Sequence, residues 1–162
     1  MSYWRQLLPR SGVGKRERAL RDRYLELLIK ILTNTIYGDP PIDRSPTQFD
    51  PALRRAGHDW PAQAHTMAGL AKLNNLRDLV QRTIDENVPG DYIENGVWRG
   101  GESTIVALAN LYPRLSPGGF VIIDDYGAIE ACRKAVTDYR REQGISAIHA
   151  VDWTGVWWQK PQ

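Results

Sequence analysis

The sequence predicts an α/β fold, with a helical cap at the N-terminal side followed by a short, mostly parallel sheet that closes with an antiparallel strand pair. Three observations carry this. Residues 17–32 repeat apolar side chains every three or four positions, as an amphipathic helix does. Residues 94–125 read ENGVWRGGESTIVALANLYPRLSPGGFVIIDDYG, a glycine-bearing turn, a helix and a strand ending in paired aspartates. Residues 146–152 and 154–159 alternate or run apolar on either side of a tight turn, the pattern of two edge strands.

Taken in order, residues 1–16 carry Pro9, Gly12 and Gly14 with little periodicity and read as a loose arm. Leu20, Tyr24, Leu27, Leu28, Ile31 and Leu32 then make one stripe that a helix would bury, and Gly38 with Pro40-Pro41 stops the helix. Residues 39–61 form a long connection of the kind that often serves as a lid or binding segment. Asp59 before Trp60-Pro61 predicts a helix start, with Ala64, Met67, Ala68, Leu70, Ala71 and Leu73 as its apolar face. Asn74-Asn75 is an expected interruption, after which Leu76, Leu79, Val80 and Ile84 continue to Pro89-Gly90. A strand is expected over 91–97, beside the strand ending at 125, and a helix over 128–142 that Gly144 ends.

Composition excludes several classes. A chain of 162 residues, 42% hydrophobic and 25% charged, has the make-up of one compact globular domain. Its one cysteine, Cys132, rules out an internal disulfide framework and sits in a helical apolar pattern, so a buried structural thiol is expected. No apolar run reaches the length of about 20 residues that spans a bilayer, and no apolar signal core precedes the first helix, so the expected location is the cytoplasm. The net charge of +2 conceals a basic start, with eight Lys or Arg against three acids in residues 1–30. The arginines alternate with acids and accompany no zinc spacing or nucleic-acid module, so a solvated helix face and no nucleic-acid partner are expected.

The chemistry concentrates in residues 94–125. Gly96, Gly100 and Gly101 allow a sharp turn and close approach to a ligand, and a turn opening a helix offers free N–H groups to an anion or to the polar part of a nucleotide-like cofactor. G-x-x-x-G-G is neither the dinucleotide fingerprint nor the P-loop, and the same glycines also serve as a plain structural turn. The run 120–123 reads as a strand buried on both faces, with Asp124 and Asp125 beyond its carboxyl end, where ligands of open α/β sheets sit. The two carboxylates suit a hard cation such as Mg²⁺; the alternative is that they cap the helix beginning near Ala128. His58, His65 and His149 have no metal-ligand spacing, and most of the tryptophans read as core or interface anchors.

The stretches YLELLIKILTNTIYGDPP, RRAGHDWPAQAHTMAGL, VPGDYIENGVWRGG, ESTIVALANLYPRLSPGGFVIIDDYGAIEACRKAVTDYR and VDWTGVWW resemble the macrocin O-methyltransferase family of class I S-adenosylmethionine-dependent methyltransferases. The resemblance runs from Tyr24 to Trp158. It implies a shortened Rossmann-like methyltransferase sheet and transfer of a methyl group to a sugar hydroxyl of a natural product. It also implies S-adenosylmethionine and Mg²⁺ as cofactors. Glu94, Gly96, Trp98, Arg99, Gly100 and Gly101 would form the cofactor loop, with Thr66 and Met67 also on the cofactor side, and Asp124 and Asp125 would ligate the metal. Bound there, Mg²⁺ would lower the acceptor hydroxyl's pKa for in-line attack on the sulfonium methyl.

This chain departs from the family at one place. Family members set several strand-helix units between the GVWRGG turn and the EST helix, whereas Gly101 is followed directly by Glu102 here. The strand whose acidic end holds the cofactor ribose is missing, as is the segment supplying another metal-binding aspartate. Asn95 stands where threonine is commoner. No general base is assigned. The expected organisation is one domain over 1–162, with a basic arm (1–16), a helical cap (17–88) and a truncated Rossmann-like core (89–162). Its expected partners are a small glycosylated substrate and further copies of itself in a homo-oligomer, with no membrane. The alternative function is a non-catalytic remnant or gene-model fragment that keeps the scaffold for binding.

Overall fold

The computed structural model describes residues 14–42, 48–94 and 101–162, and the side chains of all of these except 101–103. Helix α1 spans Lys15–Leu32, and the Glu17 carboxylate accepts from the Gly14 N–H at its start. Its apolar arc is wider than its contact. Ile29 is buried and Leu25, Leu28 and Leu32 are half-buried, while Leu20, Tyr24, Leu27 and Ile31 remain exposed. The expected single buried stripe is therefore divided: α3 is the described helix that packs on α1, and it covers part of the stripe.

Within the expected long connection a short helix forms, α2 (Pro51–Ala56). Its start has two sequence causes: Asp50 accepts from the Ala52 and Leu53 N–H groups at 2.7 and 3.3 Å, and Pro51 needs no amide partner in the first turn. Gly57, at φ +70°, ends it. The helix expected from Asp59 does not form there. Residues 58–69 instead run over the cap, with Pro41 bridged to Pro61, Ile42 N–H on Trp60 O, and His65 N–H on Leu32 O. Helix α3 is Leu70–Asp85 and passes through Asn74-Asn75 unbroken, since the Asn74 amide folds back onto Leu70 O at 2.8 Å.

The second half is a layer of two helices on a three-stranded sheet. Helix α4 (Gly101–Leu111) runs through a 3₁₀ turn (Tyr112–Arg114) to β1 (Phe120–Ile123). Then come α5 (Glu130–Glu142), β2 (His149–Ala150) and β3 (Val156–Gln159). The sheet order is β1-β3-β2 and both pairings are antiparallel, with Val121 opposite Trp158 and Ile123 opposite Val156. These four residues share one face by the period of two. Trp158 and Val136 are fully buried there among Leu108, Tyr112, Cys132 and Tyr139 of the helices. Cys132 is the buried thiol expected; burial pushes its pKa up, and Thr104 Oγ1 lies 3.8 Å from its sulfur.

Two strand expectations are corrected. Residues 91–94 are not a strand, and 95–97 lie outside the described residues, so no parallel pairing exists among the described residues. Among the described residues β1 is accordingly an edge strand, and Ile122 on its second face is 42% exposed, where burial on both faces was expected. On that face Phe120 and Trp157 lie beneath the Arg82 guanidinium at 4.8 and 5.7 Å, and His149 stacks on Trp157 at 4.3 Å. No helix among the described residues is long and apolar enough to cross a membrane.

Candidate active site

Four segments meet beyond the C-terminal end of β1: the 124–127 loop, the 151–155 turn, the start of α3 and the Gly57–His58 corner. The 151–155 turn is built by Asp152. Its Oδ1 accepts from Thr154 N–H at 2.9 Å, Thr154 Oγ1 at 3.2 Å and Gly155 N–H at 2.7 Å, the side-chain turn that Asp favours. The 124–127 loop docks on it through Gly127 N–H to Thr154 O at 2.8 Å, so closely that a Cβ on Gly127 would overlap the Trp153 carbonyl. Trp153 Nε1 donates to Gly57 O at 3.1 Å and its ring stacks on His58. Gly57 in turn lies against Gly69, the residue that precedes α3.

Lys72, in the first turn of α3, enters this junction. Its ammonium lies 2.5 Å from Asp124 Oδ1, donates to the Asp124 carbonyl at 3.4 Å and stands 3.9 Å from Asp152 Oδ2. Asp125, beside them, holds its proton above the usual carboxylate range: burial is the main cause and the Asp124 charge adds to it, while Lys72 opposes both. The side-chain capping alternative is not realised. Helix α5 has no side-chain cap, and Asp125 contributes its backbone carbonyl, which accepts from Ala128 and Ile129.

The sequence-derived site residues divide into three groups. Asp124 and Asp125 are at the expected strand end. Glu94 and Met67 are exposed, and the half-buried Thr66 uses its Oγ1 to accept from Ala68 N–H at 3.1 Å. Gly96, Trp98, Arg99 and Gly100 lie outside the described residues, and Gly101 opens α4. Lys72 and Asp152 were not singled out from sequence. Asp152 had a signal in D-x-T-G, an Asp placed to fold its own turn, and Lys72 had one in being a cation at the positive end of a helix.

The donor set does not fit a magnesium site as it stands. Asp124 already faces an ammonium, and among the described residues no group of three or more His, Cys, Asp or Glu side chains is placed to hold a metal ion. On the cap, an open groove of about 430 Å³ is lined by Ile31, Asn34, Ile36, Tyr37, Gln63 and His65, next in sequence to Thr66.

Two helices layered on a sheet, with carboxylates beyond a strand end, make an α/β arrangement that comparison with known proteins specifies. The profile of the macrocin O-methyltransferase family matches residues 40–106 and 101–160. The chain belongs to that family. A tetracenomycin 4'-O-methyltransferase of Streptomyces olivaceus, whose acceptor carries a dimethoxy-rhamnosyl group, is 33% identical over 243 residues, covering 86% of this chain and 93% of that protein. Mycinamicin III 3''-O-methyltransferase of Micromonospora griseorubida is 27% identical, with 85% and 96% covered. The structure of the O-methyltransferase NovP superposes with a TM-score of 0.77 at 26% identity, over 87% of this chain and 99% of that one. The aligned span of 243 residues exceeds the 162 present here, so the relative has interior sequence with no counterpart in this chain. The two profile matches meet at residues 101–106, which locates the join.

Proposed function

We propose that this chain is an S-adenosylmethionine-dependent O-methyltransferase acting on a hydroxyl of a sugar-bearing small molecule. The observation that supports it is the convergence of Asp124, Asp125, Asp152 and Lys72 at the carboxyl end of β1 in a chain of this family. Relatives whose names specify a rhamnosyl-bearing acceptor and a mycinamicin support the substrate class. S-adenosylmethionine would supply a methyl group on a sulfonium. The chain's part is to align the acceptor oxygen with that carbon and to pass its proton to a nearby base. Glu94, Gly96, Trp98, Arg99, Gly100 and Gly101 would hold the cofactor at the N-terminal end of α4, whose first N–H groups lack intrahelical partners. Thr66 and Met67 would approach from the segment leading into α3. No step is assigned to Mg²⁺, because Lys72 already faces Asp124.

Calorimetric titration with S-adenosylmethionine, followed by mass spectrometry of glycosylated acceptors, tests this reading. Binding is expected to be about ten- to a hundredfold weaker than in full-length relatives, since losing the charge-assisted bond to the ribose typically costs about 1.5–3 kcal/mol. Absence of both heat and methylated product would reject it. The second reading, a scaffold without a working cofactor pocket, is favoured by the interior sequence missing at residues 101–106, and that same null result would support it. In either case the reading takes the chain as one domain of arm, cap and shortened core, assembled as a homo-oligomer through the apolar residues α1 leaves exposed.

A further inference from the structure

We infer that the Lys72 ammonium is the resident cation of this carboxylate site, standing where the aspartates would otherwise hold a divalent ion. Position is the first argument. Lys72 is the third residue of α3, and a positive charge in the first turn of a helix is disfavoured by the partial positive charge of the free N–H groups. A lysine with no other constraint would extend into water. This one is held with its side chain 20% exposed, 2.5 Å from Asp124 Oδ1. The carboxylates thus supply what the helix end opposes.

Asp152 is the second, independent observation. Its side chain is 3% exposed, and three donors fix its Oδ1, so the carboxylate cannot rotate to suit a new partner. Its Oδ2 is buried with no hydrogen bond. A carboxylate oxygen taken from water in this way needs a positive charge nearby, and the Lys72 ammonium at 3.9 Å provides it. A hard divalent ion would need the same oxygens at roughly 2.0–2.6 Å and would set a second positive charge against the ammonium. Occupancy by one excludes the other. This departs from the Mg²⁺ that the sequence resemblance implies, and it stands apart from methyl transfer, because cation uptake is measured with neither cofactor nor acceptor present.

The experiment titrates Mn²⁺ alone into the full chain and its variants near neutral pH, reading bound metal by electron paramagnetic resonance. Wild type and Lys72→Arg, which keeps the charge, should take up no Mn²⁺ at this site. Lys72→Gln should bind at least tenfold more tightly than wild type, and adding Asp124→Asn should remove the gain. Wild-type uptake as tight as that of Lys72→Gln would overturn the inference. Absence of uptake by both overturns it equally, since the carboxylates would then form no cation position for Lys72 to fill. Should Lys72→Gln lose its fold, as far-ultraviolet dichroism would show, Lys72→Met, which also removes the charge, is read in its place: uptake that Asp124→Asn removes supports the inference, and none overturns it.

Discussion

Arg54 shows how much of the cap depends on one side chain. It is 2% exposed and uses its whole guanidinium, with Nε on Asp59 at 2.8 Å and the two terminal nitrogens on Thr33 O and Asp39 O at 2.7 and 2.6 Å. Arg54→Ala would leave the buried Asp59 charge unpaired, so urea unfolding should show a loss of about 3–5 kcal/mol, with Arg54→Lys recovering only part because its point charge cannot span three acceptors. Asp125 makes a prediction in pH. Its folded pKa lies above the unfolded value, so the folded state binds more protons between the two, and its contribution to stability is present in acid and lost as pH rises through that window. Asp125→Asn should therefore match wild type in acid and become the more stable protein towards neutral pH, in paired thermal melts across that range. Arg54 does not announce its role in sequence, and Lys72 shows only a cation at a helix start, because the partners of each are brought to it only by folding. Asp124 and Asp125 were legible because a strand end is a local pattern.

Among the elements, those set by local chemistry were readable and those set by distant partners were not. Helix α5 follows its apolar period and breaker to within a few residues, whereas α1 starts near Glu17 as expected but ends at Leu32, before the Gly38 breaker. Helix α2 had a readable cap in Asp50-Pro51, but a six-residue helix offers too little periodicity to stand out from a loop. The start of α3 was misplaced because residues 58–69 have enough apolar content for a helix, yet their backbone groups are taken by bonds to Leu32, Pro40 and Ile42. The contact between the 124–127 loop and the 151–155 turn offers an element-scale test. Gly127→Ala sets a methyl group against the Trp153 carbonyl and should cost about 1–3 kcal/mol by forcing the two segments apart. The same variant should lower protection from hydrogen exchange at Gly155, whose N–H is held by Asp152. Unchanged stability and exchange would show that the two segments move together without strain.

For the whole molecule, the α/β class was legible while the sheet's direction was not. The expected parallel neighbour of β1 required a strand over 91–97, and the described part of that segment does not form one. What remains is a small sheet whose β1 edge has no partner among the described residues, and a cap helix with Leu20, Tyr24, Leu27 and Ile31 between 44% and 65% exposed. Self-association through α1 is the expected outcome, and light scattering over a concentration series should show a dimer that Tyr24→Glu with Leu27→Glu converts to monomer. A folded wild-type monomer at every concentration would reject that assembly. The strand order β1-β3-β2 also has a consequence in time. The middle strand is the last of the three to leave the ribosome, so neither β1 nor β2 can find its neighbour until β3 has been made. Through the synthesis of α5 and the turn after it, the Phe-Val-Ile-Ile segment of β1 waits, uncharged, without the neighbour it has among the described residues, a state in which a nascent chain is open to capture by a chaperone or by another copy of itself.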